Sequence, residues 1–343
     1  MTWIVSRPLF GISTITGHGH SYMTLIKTGR AIVFPGQGSQ AVGMGKALAD
    51  AYPVVREVFQ QVDDALGDSL SKLMFEGPED ALTLTRNAQP ALMAVSIAAL
   101  RVLEGESGKP IDEFADYVAG HSLGEYSALA AVGALGLDDT ARLLRLRGEA
   151  MQTAVPVGEG AMAALLGAEI DVATEIAGQA SKEGVCDLAN DNAPGQAVLS
   201  GAKPAIEAAI ALASERGIRK AIMLPVSAPF HCALMAPAAE RMAEALGEVT
   251  INEPAVPLVA NVLAAPVTGG PAKIRESLVA QVTAMVRWRE SVLWMAGNGV
   301  TSILEVGAGK VLTGLHKRID RSIAASALGG PDDVEAAVAA INA

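Results

Sequence analysis

Gly120-His121-Ser122-Leu123-Gly124 fits the G-x-S-x-G pattern, in which a sharp turn between a strand and a helix presents a serine as a nucleophile. In a chain with 35 glycines the bare pattern arises by chance about 0.2 times, so its flanks must carry the reading. Asp116-Tyr117-Val118-Ala119 leads in as a strand, and Tyr126-Ser127-Ala128-Leu129-Ala130 leads out as a helix-forming run. Glycines on either side let strand and helix pass closely. The helix start brings a positive dipole end and the Leu123 N–H to where an oxyanion would form. A serine alcohol also needs a base. His231 is the best candidate, because Ser227-Ala228-Pro229-Phe230-His231 reads as a proline-containing loop able to hold an imidazole rigidly. His121 adjoins the serine with its side chain expected to point away, and His316 is expected on the exposed face of a helix. This pairing of serine and histidine is the chemistry of nucleophilic acyl transfer.

Two other glycine-rich stretches read differently. Phe34-Pro35-Gly36-Gln37-Gly38-Ser39-Gln40-Ala41 follows a strand and matches the loose dinucleotide fingerprint G-x-G-x-x-G/A. That fold needs a second strand ending in an acid roughly twenty residues on. Here residues 47 to 66 read as helix throughout, and Glu57 lies inside it. Gly307-Ala308-Gly309-Lys310 is no P-loop, since Val311 stands where Ser or Thr is required. Cys186 and Cys232 are the only cysteines, too few for a disulfide framework, and no Cys or His spacing supplies a structural zinc site. No metal and no cofactor is expected, and a reducing, cytoplasmic setting is.

The elements that must position these residues alternate between short apolar strands and amphipathic helices, the rhythm of an α/β fold with a mainly parallel sheet. Residues 31–34 read as a buried strand, 45–66 and 87–103 as helices, 114–119 as a strand, and 125–134 and 138–155 as helices. Between residues 160 and 226 the order becomes strand, helix, strand, turn, strand, helix, strand, the βαββαβ of a ferredoxin-like unit. Helices near 232–246, 274–285, 291–297 and 332–341, with strands near 256–260 and 301–305, then resume the first rhythm. The expected fold is therefore an α/β-hydrolase-like catalytic domain over 31–158 and 227–343, with a ferredoxin-like subdomain over 159–226. Residues 1–30 contain no Ala, Asp or Glu. They are read as a disordered extension upstream of a start at Met23, with His18 and His20 incidental.

Composition excludes several classes of function. With 26 Lys and Arg against 37 Asp and Glu, the net charge is −11, which excludes a sequence-wide nucleic-acid footprint. The longest apolar stretches, such as 91–100, fall short of the ~18 residues that span a bilayer. The expectation is thus a protein that binds neither nucleic acid nor membrane, acting as a monomer.

Six segments together resemble one known family: Phe-Pro-Gly-Gln-Gly-Ser-Gln at 34–40, Gly-His-Ser-Leu-Gly-Glu at 120–125, Arg-Gly-Glu-Ala-Met-Gln at 147–152, Asn-Ala-Pro-Gly-Gln at 192–196, Phe-His-Cys-Ala-Leu-Met at 230–235 and Glu-Val-Gly-Ala-Gly-Lys-Val-Leu-Thr-Gly at 305–314. In order and over nearly the whole chain, they are similar to the malonyl-CoA:acyl carrier protein transacylases. The resemblance implies ping-pong transfer of malonyl from malonyl-CoA to Ser122, then to the phosphopantetheine thiol of acyl carrier protein in fatty acid synthesis. It makes His231 base and then acid, and gives the oxyanion hole to the backbone N–H groups of Gln37 and Leu123. Arg147 becomes the partner of the malonyl carboxylate, a role for which a planar guanidinium is chemically apt. Gln281 matches the glutamine whose carbonyl region orients the histidine, so no third acid is needed. Phe230, before the histidine, looks like the malonyl type, and His121 joins the substrate-binding set. Asn192 is either a further pocket residue or a turn-forming asparagine. An acidic enzyme meeting an acidic carrier needs a local basic patch, and Lys310, Lys317, Arg318 and Arg321 are the first choice. The competing readings are a transacylase of polyketide synthesis or malonate decarboxylation, a serine hydrolase, and a carrier-binding module with a dead site.

Overall fold

The computed structural model describes residues 28–343. The N-terminal extension, with His18 and His20, lies outside the described residues as far as residue 27. Residues 28–30 belong to the body instead of the extension: Arg30 opens the first strand, and the Thr28 hydroxyl donates to the Phe114 carbonyl at 3.3 Å.

The strands are β1 (Arg30–Phe34), β2 (Tyr117–Gly120), β3 (Gly160–Leu166), β4 (Cys186–Ala193), β5 (Gln196–Ala202), β6 (Lys220–Met223), β7 (Leu258–Ala260), β8 (Ala265–Pro266), β9 (Ser302–Val306) and β10 (Ala324–Leu328). Six form one sheet in the order β10-β9-β1-β2-β7-β8, parallel except for the final β7–β8 pair. Both faces are covered, so β1 is apolar without alternation: Ile32 and Phe34 enter one core cluster, Ala31 and Val33 the other. The register pairs Phe34 with Gly120, so β1 and β2 end side by side. The Gly36–Gln40 loop and the 121–123 turn therefore emerge together at the carboxyl ends of the strands, where open α/β sheets hold their ligands.

Helix Thr85–Ser107 is buried at nearly every position from Asn87 to Leu103, the mark of a helix enclosed on all sides. It packs against helices Pro53–Leu66, Gly124–Ala131, Leu137–Thr153 and Pro331–Asn342. The other four strands form an antiparallel sheet in the order β4-β5-β3-β6, with helices Ile170–Ala180 and Lys203–Glu215 packed against it over a core made mostly of alanine. This is the ferredoxin-like arrangement. The two sheets are tied together where β4 carries register shifts: Asp191 N–H donates to the Val286 carbonyl, Val286 N–H to the Ala189 carbonyl, and the Asp191 carboxylate takes the Arg289 guanidinium at 2.9 Å.

Several boundaries differ from those read in the sequence. The helix expected over 45–66 is two, because Pro53 holds Tyr52 in extended backbone (φ −126°, ψ 120°). Residues 111–114 form one helical turn, and the strand expected from 114 starts at Tyr117. Helices Leu70–Glu76 and Glu79–Thr83 and strands β8 and β10 have no counterpart in the sequence reading, and the helix expected around His316 spans Val311–Ile319. The β10 sequence Ala-Ala-Ser-Ala-Leu has little strand propensity and is extended because β9 pairs along it. The helix expected over 274–285 spans Gly270–Gln281. His316, expected on an exposed face, is 1% exposed with neither ring nitrogen hydrogen-bonded among the described residues. It shares the inward face of helix Val311–Ile319 with Leu312 and Thr313, and burial lowers its pKa.

Candidate active site

The chain between β2 and helix Gly124–Ala131 turns through Ser122 at φ 53°, a left-handed conformation that costs a non-glycine residue energy. Two glycines make the turn possible. A Cβ on Gly120 would stand 1.9 Å from the Gly124 carbonyl carbon, and one on Gly124 2.3 Å from the Phe34 carbonyl oxygen. Asn261, just after β7, clamps the turn from below: its Oδ1 accepts the Ser122 N–H at 2.7 Å and its Nδ2 donates to the Gly120 carbonyl at 2.6 Å.

His231 also lies at positive φ, 59°, which swings its ring from the loop back toward the elbow. Its Nε2 is 2.7 Å from Ser122 Oγ and its Nδ1 is 2.9 Å from the backbone carbonyl of Gln281. A carbonyl only accepts, so Nδ1 carries the proton and the Nε2 lone pair faces the serine hydroxyl. That carbonyl is free because the helix stops at Gln281, leaving one of its last C=O groups without an intrahelical partner. Burial, followed by the nearby Arg147 charge, pushes His231 down to about 3. The imidazole is therefore neutral at physiological pH, the form a base needs.

Arg147 comes from helix Leu137–Thr153, is 1% exposed and ends at the same hydroxyl. Its Nη2 donates to Ser122 Oγ at 3.1 Å and to Gln281 Oε1 at 2.8 Å, and its Nη1 to Gln89 Oε1 at 2.8 Å. The guanidinium lies 5.7 Å from the Tyr126 ring centroid, and its Nε has no hydrogen-bond partner among the described residues. The backbone N–H groups of Gln37 and Leu123, one from each of the two adjoining turns, likewise find no acceptor among the described residues.

His121 Nε2 meets Asn192 Oδ1 at 2.8 Å, which brings β4 of the small sheet against the turn. Its ring lies 5.8 Å from that of Trp288. Phe230 is buried in the main core beside the histidine loop. The basic patch is dispersed in part: Lys310 pairs with Asp333 at 3.4 Å, while Lys317, Arg318 and Arg321 are exposed.

Sequence reasoning missed four polar residues beneath the site: Thr85, Gln89, Glu125 and Asn261. Thr85 Oγ1 donates to Gln37 Oε1 at 2.8 Å and accepts Gln89 Nε2 at 2.9 Å, linking the glycine loop to Arg147. Glu125 Oε2 accepts the Asn261 N–H at 2.9 Å and Gln281 Nε2 at 3.1 Å. A signal existed for Thr85 and Gln89, which are polar residues at the start of a helix that is mostly apolar from Ala88 to Leu103. For Asn261, in a short loop after a three-residue strand, there was none.

On an α/β-hydrolase-like body, a serine in a strained turn within hydrogen-bond reach of a neutral imidazole is the arrangement of serine–histidine acyl transfer. The chain belongs to the acyl transferase domain family, which it matches over residues 31–333, and within it to the malonyl CoA-acyl carrier protein transacylases. It is 45% identical to the malonyl CoA-acyl carrier protein transacylase of Bacillus subtilis strain 168 over 309 residues, 90% of this chain and 96% of that one. The crystal structure of an acyl-carrier-protein-S-malonyltransferase from Bartonella henselae superposes with a TM-score of 0.90 at 52% identity, covering 92% of this chain and all of that one. A malonyl-transacylase in complex with a type II polyketide acyl carrier protein superposes at 0.87 with 40% identity, covering 90% of this chain and 99% of that one.

Proposed function

We propose that the protein transfers malonyl from malonyl-CoA to the phosphopantetheine thiol of an acyl carrier protein through a malonyl ester on Ser122, supplying fatty acid synthesis. The observation that carries this reading is the convergence on one oxygen: Ser122 Oγ lies 2.7 Å from the His231 base and 3.1 Å from a buried arginine. In the first half-reaction Ser122 Oγ attacks the thioester carbonyl while His231 Nε2 takes its proton. The oxyanion receives the N–H groups of Leu123 and Gln37. The C–S bond then breaks and His231 returns the proton to the departing CoA sulfur. In the second half, His231 takes the proton of the carrier thiol, the sulfur attacks the ester, and Ser122 leaves as the hydroxyl. Both halves balance without a metal or redox cofactor.

Arg147 explains the choice of acyl group. A buried guanidinium held by Gln89 and Gln281 beside Tyr126, whose Nε has no hydrogen-bond partner among the described residues, supports pairing with the far carboxylate of a malonyl group. An esterase for neutral acyl groups has no use for it. We assign the enzyme to the cytoplasm as a monomer; no helix of the described residues is long and apolar enough to cross a membrane, and both cysteines are free thiols. The polyketide-linked relative makes a polyketide carrier the second reading, with identical chemistry.

Intact-mass measurement after incubation with malonyl-CoA tests the proposal. A single malonyl adduct on Ser122 that persists in water and is discharged by an acyl carrier protein is expected. Rapid loss to water would make the protein a hydrolase, and absence of an adduct would make it a non-catalytic binding module.

A further inference from the structure

A second buried charge stands beside the site, and the acyl transfer derived above does not use it. Glu125 is the second residue of helix Gly124–Ala131 and is 0% exposed. Its Oε2 accepts two hydrogen bonds, from Asn261 N–H and Gln281 Nε2, whereas its Oε1 has no partner among the described residues. Across Gln281 lies Arg147: Gln281 Oε1 accepts from the guanidinium while Gln281 Nε2 donates both to Glu125 and to the Ser122 carbonyl at 3.1 Å. The glutamine amide thus separates a cation from an anion, and each of its ends has only one sensible orientation. Asn261 and Gln281 are also the residues that clamp the elbow and orient His231. One carboxylate oxygen therefore holds both supports of the nucleophile and its base.

On the malonyl-transfer reading, on which this inference rests, an acyl group carrying its own carboxylate enters and pairs with Arg147. Two anions would then share one buried cation, one of them with an oxygen that has no partner among the described residues. Buried charge of that kind is relieved by binding a proton. We propose that Glu125 is a positioning residue whose Oε2 holds Gln281 and Asn261 in place, and whose Oε1 takes up a proton from solvent when an anionic acyl group pairs with Arg147. Protonation at Oε1 leaves Oε2 a carbonyl-type acceptor, so both supporting hydrogen bonds survive the change of charge.

The neighbouring groups favour Glu125 as the proton's destination. Burial raises it to about 7 against the opposing pulls of Asn261, Gln281 and Arg147. The other titratable groups around it are Arg147 on helix Leu137–Thr153, Tyr126 on its own helix, and His121 and His231. Both histidines are pushed below their usual range by burial, and Tyr126 is pushed up. Burial thus moves the two histidines and Tyr126 away from neutral pH and Glu125 toward it.

The test uses Ser122→Ala protein, which binds thioester without turning it over, titrated calorimetrically with malonyl-CoA and with acetyl-CoA in buffers of different ionisation enthalpy. Both ligands carry the same CoA phosphates, so the difference between them isolates the acyl carboxylate. At about pH 8, malonyl-CoA binding should take up roughly half a proton or more per site beyond acetyl-CoA binding. The malonyl-CoA affinity should fall by up to about tenfold per pH unit above 7, while that for acetyl-CoA stays level. Adding Glu125→Gln, whose amide oxygen still accepts both N–H groups, should abolish the proton difference and flatten the pH slope. Equal proton uptake for the two thioesters, or a difference that survives Glu125→Gln, overturns the proposal. If the double variant fails to fold, a level malonyl-CoA affinity across pH 7 to 9 in Ser122→Ala alone overturns it. Failure of malonyl-CoA to bind is a separate outcome, seen as absent heat, and sinks the function reading itself.

Discussion

The body and the ferredoxin-like subdomain bury their interiors by different means. The body encloses Thr85, Gln89, Glu125, Arg147, Asn261 and Gln281, all nearly or fully buried, and joins them through hydrogen bonds between 2.8 and 3.1 Å. The core of the subdomain is apolar, built from small residues between Ala161 and Ala213 with Leu165, Leu199, Ile176 and Ile206. A polar interior is satisfied by one arrangement of donors and acceptors, and an apolar core of small side chains needs only volume. Accordingly, Ser122, His231 and Arg147 lie together in the body, and the subdomain meets their turn through the Asn192–His121 hydrogen bond.

The contrast predicts that changes in the body act on chemistry and changes in the subdomain on stability. Ser122→Ala should lower transfer by roughly 10⁴-fold or more and eliminate the adduct, since no other nucleophile is placed at the site. A stable malonyl adduct on the variant, for instance on Cys232, would remove Ser122 from the mechanism. His231→Ala should slow loading by a factor on the order of 10² or more in single-turnover measurements. Because burial holds this imidazole neutral down to about pH 3, loading in the parent should show no histidine limb between pH 5 and 7. A limb there that disappears in the variant would contradict the burial argument.

Arg147→Ala leaves the malonyl carboxylate unpaired, a loss of about 2 to 5 kcal/mol and so roughly 30-fold or more in malonyl transfer. Acetyl transfer should stay level or rise. An equal fall for both thioesters would make the arginine structural. Reversing the exposed Lys317 and Arg318 together should raise the apparent KM for carrier protein several-fold without changing loading from malonyl-CoA, because surface charge acts on encounter. No change would direct the search to Arg219 and Lys220 on the small subdomain. The smallest effect on chemistry belongs to Leu199→Ala, fully buried in the alanine-rich core. It should destabilise the fold by about 2 to 5 kcal/mol in denaturant titrations while the folded fraction loads malonyl normally. Impaired loading by the folded variant would end the division of labour between the two units.

The parts of the site legible in the sequence are those with a local signature. The glycines around Ser122 are needed within a few residues of it, because the backbone of Gly124 and the end of β1 occupy the space of any side chain. The βαββαβ order of the subdomain and the strand–helix rhythm of the body follow from hydrophobic period, which is also local. The residues placed by family resemblance, Arg147 and Gln281 among them, had no local mark. Without the family resemblance, Arg147 reads better as an exposed helix arginine than as a binding residue.

What tertiary structure alone settled lies in contacts between distant segments. Ser122 and the Gln281 side chain are 159 residues apart, Glu125 and Asn261 136 apart, and no period or motif encodes which buried glutamine faces which buried acid. The inward turn of His316, the extended backbone of β10 and the early end of the helix at Gln281 share that origin. Each follows from what packs or pairs against the segment, so it emerges only when the whole sheet is assembled. Amino-acid order carries the nucleophile and the alternation of elements because both depend on nearest neighbours along the chain; the charge arrangement beneath the nucleophile depends on neighbours in space.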